Sequence, residues 1–428
     1  MMSEAKHTIL VICPTRHDKS ELAFAHIVGN YKIIFQEYDE TAFERILASG
    51  SIGNFEKKCP HHIINQLLNV CEAENITAVF STDDYPGSIY AAIIASFKGL
   101  PGPAPAVVLG CQHKWYARRN QSRLVPRATP GYFLINPEMS NQHIQTFPVF
   151  VKPVKSYFSF LAGKVANAEQ LQELITNKKM PDEFLYQFNW FLQQYGFEPR
   201  SSDFLAETIL HGYQVTVEGY VYNGECHILG VIDSIMYPGT ISFARFEYPS
   251  SLSEDVQNRM GAIAQQIMRG INFNNSFFNI EMMYNPESDE IYIIEVNPRM
   301  AAQFADLYEK VDGLNSFIAA LDIAVGKRPN IKIKQGPFNV AASCIMRIFE
   351  NKRVLKIPTA ADIAKIKDLF PESRVFICIN EGQLLSDQLQ DGNSYLYCLL
   401  HLGARDRQEL LEKFEYAKKL LPFIFSDV

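Results

Sequence analysis

The stretch FFNIEMMYNPESDEIYIIEVNPR, residues 277–299, constrains this chain more than any other. Residues 277–284 and 291–296 are apolar and aromatic. Between them Asn285-Pro286-Glu287-Ser288-Asp289-Glu290 is a cluster of turn formers, so the stretch reads as two short strands around a polar turn. A hairpin symmetric about Ser288 sets Glu281 directly opposite Glu295. Like charges at a directly opposed pair repel, and a carboxylate inside an apolar strand is costly unless it is paired. A cation is expected between them. Asn297 and Arg299 follow Glu295 at two-residue steps and so share its face. Two carboxylates and an amide oxygen are hard ligands that suit Mg²⁺, and such a site keeps room for water and for the phosphates of a nucleotide. The alternatives are a solvated sheet edge from which both Glu side chains reach water, and a bulge that shifts the register.

IIEVNPR, with an acidic residue on the preceding strand, resembles the metal-binding end of the ATP-grasp superfamily, whose members include L-amino-acid (dipeptide) ligases and biotin-carboxylase-like carboxylate–amine ligases. The resemblance implies that Glu281, Glu295 and Asn297 hold Mg²⁺, with Mn²⁺ able to substitute, on the phosphates of ATP. It makes Arg299 the catalytic cation that steadies the transferred phosphoryl group.

At 428 residues the chain is too long for one ordinary core, and two or three domains are expected. A net charge of −7 argues against nucleic acid as a partner. The eight Cys form no CxxC pair and no zinc-spaced cluster, which reads as reduced thiols in a cytoplasmic protein. The apolar run near the N-terminus is only six residues long, a core strand and not a signal peptide. No apolar run approaches a membrane span.

Taken in order, residues 8–13 (TILVIC) and 77–81 (TAVFS) read as strands buried on both faces, with 31–35 a further strand and 18–28, 59–75 and 88–97 as helices. That alternation implies a parallel α/β sheet. Pro14-Thr15 and Ser81-Thr82-Asp83-Asp84 fall at strand C-ends, where such sheets carry ligands. Thr82 or Asp83 capping a helix is the plainer reading. Lys114 and Arg118 lie one helical turn apart, and a solvated helix face is the plain reading of both. Lys152 sits inside the apolar strand FPVFVKP, where a Lys wants an anion or must reach an end of the strand. Residues 203–210 and 214–222 read as a hairpin around His211-Gly212-Tyr213. Residues 228–233 form a third strand and 254–270 an amphipathic helix. After a helix at 314–325, residues 331–428 read as a separate α+β lobe with strands at 341–349, 375–379 and 395–400 and a helix at 407–421.

The resemblance turns these elements into expectations. The fold class is α/β and α+β: an N-terminal parallel α/β (pre-ATP-grasp) domain at 1–112, an ATP-grasp core at 113–330 with a lid near 150–210, and a C-terminal lobe at 331–428. Lys114 and Lys152 reach the nucleotide phosphates. Glu207 faces the purine, with the backbone of Ile209 and Leu210 as the hinge. The usual acidic ribose partner aligns near Gln214, whose amide can still bond a hydroxyl. The glycine-rich flap of the family is replaced by Lys155-Ser156-Tyr157-Phe158-Ser159-Phe160, with no glycine until Gly163. Glu218 and Arg245 are substrate candidates. Arg is the preferred fork for a carboxylate, and the alternative for Arg245 is a surface pair with Glu247.

The expected activity is an ATP-dependent ligation that joins a small-molecule carboxylate to an amine through an acyl phosphate, with an amino acid as one candidate substrate. Relatives often dimerise, which makes a homodimer the expected assembly. Bicarbonate activation is a second reading, against which stand the missing glycine-rich lid and the absence of a Met-Lys-Met signal. A nucleotide-binding protein without catalysis is a third.

Overall fold

TILVIC becomes β1 (His7–Ile12), paired in parallel with β2 (Tyr31–Gln36) and β3 (Ala78–Phe80). The computed structural model describes residues 7–28, 31–37, 59–137, 146–156, 159–177, 180, 182–388 and 394–427. Alternation along β1 decides how this small sheet is used. Leu10 and Ile12 point into a cluster with the helices Pro60–Ala73 and Gly87–Lys98. Ile9 and Val11 point the other way and join Phe277, Phe304 and Phe317. The first domain is therefore welded to the next by its own central strand.

A second sheet, antiparallel and centred on the stretch expected to form the lid (hereafter the lid), contains β4 (Tyr132–Ile135), β5 (Val149–Pro153), β6 (Gly163–Val165) and β7 (Phe204–Glu207) in the order β4-β7-β5-β6. Leu171 and Ile175 of the helix Ala168–Asn177 cover it. A second helix, Asp182–Gln194, leaves this sheet altogether. Its Phe184, Phe188, Phe191 and Leu192 are all fully buried among Tyr85, Ile89 and Tyr90 of the first domain. The sequence analysis assigned no helix there, although the aromatic spacing 184, 188, 191 is helical.

The main sheet contains β8 (Tyr213–Tyr222), β9 (Glu225–Met236), β10 (Phe243–Tyr248), β11 (Ser276–Asn285), β12 (Glu290–Asn297) and β13 (Val340–Ile348). Beyond β14 (Lys352–Lys356) come β15 (Arg374–Ile377), β16 (Tyr395–Ala404) and β17 (Ile424–Asp427). Eight strands run β12-β11-β8-β9-β10-β13-β16-β15, and β14 pairs with β17 apart from them. Two expectations are corrected. The segments 203–210 and 214–222 are not a hairpin, because β7 bonds to β4 and β5 while β8 bonds to β9 and β11. The C-terminal lobe does not have a sheet of its own for its long strands: β13, β15 and β16 extend the central sheet through β10. The helices Ala305–Asp312 and Ser316–Ala324 follow β12.

Gly212 makes the turn from lid to sheet. Its φ is +125°, and a Cβ there would lie 2.0 Å from the carbonyl oxygen of Tyr284. Only glycine fits such a conformation and such an approach. On the far side, Arg374 ties three units together, bonding Glu21, Asp306 at 2.8 Å and Glu309 at 2.6 Å. Among the described residues no helix is long and apolar enough to cross a membrane, and none of the eight cysteines is in a disulfide.

Candidate active site

Cross-strand register fixes which side chains share a face. Glu295 lies opposite Glu281, and Glu281 opposite Thr216. Asn297 lies opposite Asn279, and Asn279 opposite Glu218. The opposition of Glu281 and Glu295 does not come from a hairpin regular about Ser288. Nearer the turn the pairs are Met282 with Ile293 and Asn285 with Glu290, so Ile294 is an extra residue. This bulge moves Glu295 into place, and it frees the Ile294 carbonyl to accept from Arg118 Nη2 at 2.8 Å.

Glu281 is lifted to about 7, chiefly by burial and then by the facing charge of Glu295. Burial also acts to raise Glu295, but Lys114 and Lys152 outweigh it and its net shift is downward. Lys114 opens the helix Lys114–Leu124; its backbone N–H is tied to the Val154 carbonyl at 2.9 Å and its Nζ lies 3.0 Å from Glu295. Lys152 points from β5 to Glu207 at 2.7 Å. Glu207 also accepts from Arg118 Nε at 2.5 Å. Burial opposes this charge, yet the two cations hold the Glu207 carboxyl down at about 2. Arg118 thus spans the lid sheet and the edge of the main sheet, with a further bond to Gln121.

Several site residues from the sequence take different partners. Glu207 has one oxygen on each of two cations, so it anchors Lys152 and Arg118 rather than standing free to face a purine. Ile209 and Leu210 lie in the irregular link between β7 and β8, half-buried. Gln214 donates to Glu281 Oε2 at 3.1 Å. Arg245 bonds Glu247, which also holds Arg407 at 3.1 Å. Both lie on one face of β10, opposite Ile235 and Asp233 of β9, while Phe246 between them points to the other face and packs on Phe304. The pair reading of Arg245 is what forms, because an i,i+2 neighbour of opposite charge is already on its face. Glu218 is fully buried, accepts from the Ala301 N–H at 2.6 Å, and is pushed up to about 8 by burial.

The sequence analysis gave no individual role to three residues: Asp84 and Lys155, named only within the segments 81–84 and 155–160, and Asn279. Asp84, at the C-end of the first sheet, pairs with Lys155 at 2.8 Å and lies 3.7 Å from Arg299 Nε. Burial would raise the Asp84 carboxyl, but Lys155 and Arg299 bring it to about 2. Lys155 lies 5.0 Å from the Tyr85 ring centre and 5.8 Å from that of Phe188. Phe160 and Leu161 of the flap pack on the same cluster. Tyr157 and Phe158 lie outside the described residues. The N-cap of the helix Gly87–Lys98 is Pro86, not Thr82 or Asp83; Asp83 accepts from the Gly87 N–H at 2.6 Å, and Thr82 donates to Asp18. The third residue, Asn279, is buried beneath Asn297. A second polar residue in the apolar run FFNIEMM, two positions before Glu281 and so on its face, was the available signal for it.

These groups fit a divalent cation. Two opposed carboxylates repel across the strand pair, and Asn297 spends its amide N–H on Asn279 at 2.9 Å, which leaves its oxygen free. Among the described residues no group of three or more His, Cys, Asp or Glu side chains is arranged to hold a metal; a cation here would rest on two carboxylates and an amide.

Residues 145–306 match the ATP-grasp domain family. No curated protein matches the chain. Among solved structures, an L-amino acid ligase from Bacillus licheniformis superposes with a TM-score of 0.77 at 15% identity, over 99% of this chain and 100% of that one. Phosphoribosylglycinamide synthetase from Anaerococcus prevotii gives 0.65 at 13% identity, over 98% and 99%. A biotin carboxylase–ATP analogue complex from Campylobacter jejuni gives 0.65 at 14%, over 97% and 92%. The match to the ATP-grasp domain family covers residues 145–306, and the chain as a whole shares the fold of these solved structures.

Proposed function

We propose that this protein is an ATP- and Mg²⁺-dependent ligase that joins a carboxylate to an amine, an amino acid being one of its substrates. The observation that carries this reading is the set of cations and acids gathered between the lid and the main sheet. Lys114, Lys152 and Arg299 converge there with the opposed Glu281 and Glu295, and with Asn297 beside them. None of these is a nucleophile of the Ser or Cys kind. Such a site acts by positioning and charge neutralisation, as phosphoryl transfer requires.

In the reaction, a substrate carboxylate oxygen attacks the γ-phosphorus of ATP and the bond to the bridging oxygen breaks, giving an acyl phosphate and ADP. An amine then attacks the acyl carbon, loses a proton, and expels inorganic phosphate. Mg²⁺ held by Glu281, Glu295 and Asn297 supplies charge neutralisation to the phosphate oxygens when bound. Lys114 and Lys152 exchange part of their contact with Glu295 and Glu207 for those oxygens, and Arg118 keeps Glu207 from being left unpaired. Arg299 faces the transferred group. The link at Ile209 and Leu210 offers backbone groups to the adenine edge, and the Gln214 amide, already beside Glu281, serves the ribose side.

Hydroxylamine trapping tests the first half-reaction. With ATP, Mg²⁺ and the correct acid, a hydroxamate forms in stoichiometry with ADP. ADP formation without hydroxamate would reject an acyl phosphate. A nucleotide-binding protein without turnover is the second reading. It is favoured by a flap already pinned through Lys155 and Asp84, and it predicts ATP binding with no ADP formed.

A further inference from the structure

The bonds around Asn279 can be oriented by chemistry alone. Its side-chain amide lies 3.0 Å from the main-chain carbonyl of Arg299. A carbonyl only accepts, so the Asn279 atom there is its NH₂ group. The other end of the same amide is therefore an oxygen, and it faces the Asn297 amide at 2.9 Å. That oxygen in turn needs a donor, so Asn297 presents its nitrogen to Asn279 and its oxygen to the side where Glu281 and Glu295 lie. An asparagine left free would turn either end toward a cation, and only the oxygen can bind one.

We propose that Asn279 is a positioning residue that fixes both Asn297, as an oxygen donor, and the main chain at Arg299. The proposal rests on the ligase reading only for what Arg299 does; the orientation of Asn297 stands apart from it. Three further facts fit. Asn279 is only 3% exposed and Asn297 7%, so water cannot easily replace either bond. The two residues are directly opposed in the strand register, so their side chains are nearest neighbours across β11 and β12 on that face. The turn after Arg299 is held a second time two residues on, where the Ala301 N–H is bonded to Glu218. The exit of β12 is thus stapled from β11 and from β8. Partners at this remove from a metal, once removed, weaken its binding by about 10–100-fold.

Two substitutions separate the two bonds. Asn279→Asp keeps an acceptor for Asn297 but has no donor for the Arg299 carbonyl. Asn279→Ala keeps neither. The experiment titrates Mn²⁺ in the presence of ATP by electron paramagnetic resonance, which needs no turnover, and follows ADP formation separately. Expected for Asn279→Ala is a loss of Mn²⁺–ATP affinity of about 10–100-fold together with a loss of kcat. Expected for Asn279→Asp is affinity no weaker than wild type, with kcat still lost. Equal Mn²⁺–ATP affinity in wild type and Asn279→Ala would overturn the proposal, as would a wild type that binds no Mn²⁺–ATP. If Asn279→Ala does not fold, Asn279→Asp decides: retained binding supports the assignment and lost binding overturns it. A wild type that binds Mn²⁺–ATP but turns over no substrate would reject the ligase while leaving the affinity comparison intact.

Discussion

Glu281 and Glu295 face each other across β11 and β12 because Ile294, one residue away, is bulged out of the ladder. The bulge gives Arg118 a carbonyl to bind and gives the two carboxylates a common address. The arrangement is poor for the empty protein and good for one holding a cation, and that asymmetry can be measured.

Glu281 has a carboxyl lifted to about 7 from an ordinary value of 4.5. A carboxyl raised in the fold binds its proton more tightly there than in the unfolded chain. Its contribution to stability is therefore present at low pH and is lost as pH rises from about 4.5 through 7. Glu281→Gln should remove this loss, so that the metal-free variant is more stable than wild type at pH 8, by on the order of 1–3 kcal/mol, and close to it at pH 5. Urea unfolding at the two pH values checks this. Mg²⁺–ATP should stabilise the wild type and not the variant.

Glu207 holds two buried cations, Lys152 at 2.7 Å and Arg118 at 2.5 Å. Removing one member of a buried pair leaves a charge uncompensated and costs about 3–5 kcal/mol. Glu207→Ala should reach or exceed that range in chemical denaturation, and Glu207→Gln should fall short of it because its amide still accepts from one cation. Equal losses in the two variants would mean that the charge is not what matters.

Phe188 ties the lid to the first domain. It is fully buried, its ring lies 5.4 Å from that of Tyr85 at 86°, and it stacks on His113. Phe188→Ala should cost about 3–5 kcal/mol. Its effect on hydrogen exchange should be uneven: amides of β5 and β7 should exchange faster than those of β8 and β11, because the lid loses an anchor that the main sheet does not use. Uniform acceleration would show that the lid has no separate opening.

Gly212 turns the chain from β7 into β8 at φ +125°, against the carbonyl of Tyr284. Gly212→Ala should destabilise by about 1–3 kcal/mol from strain alone, and more from the collision. Since Gln214 and the hinge flank this turn, nucleotide affinity should fall as well. A calorimetric titration with Mg²⁺–ATP gives that value directly.

The hairpin was legible because it combines two local signals, an alternating apolar pattern and a polar turn, with charges that the pattern does not tolerate. Lys152 was legible for the same reason, as a cation inside an apolar strand. What the sequence hid was long-range pairing. Glu207 lies in an ordinary strand, and nothing local says that Arg118, 89 residues earlier, will occupy one of its oxygens. Asp84 and Lys155 are 71 residues apart and meet where Phe188 of the helix Asp182–Gln194 packs beside Tyr85. Residues 203–222 look like a hairpin, since two β-rich runs around a glycine satisfy that pattern. The competing partners in two different sheets are invisible from within the segment. Arg245 was ambiguous locally, and its answer came from which face of β10 it shares with Glu247.

The most direct test of the account is phosphate release from ATP and Mg²⁺ across a matrix of amino-acid pairs, with Glu295→Ala as the blank. The account predicts release that requires an acid and an amine together and disappears in the variant. Full release by Glu295→Ala would contradict the metal site, and release from wild type that needs no second substrate would contradict the ligase.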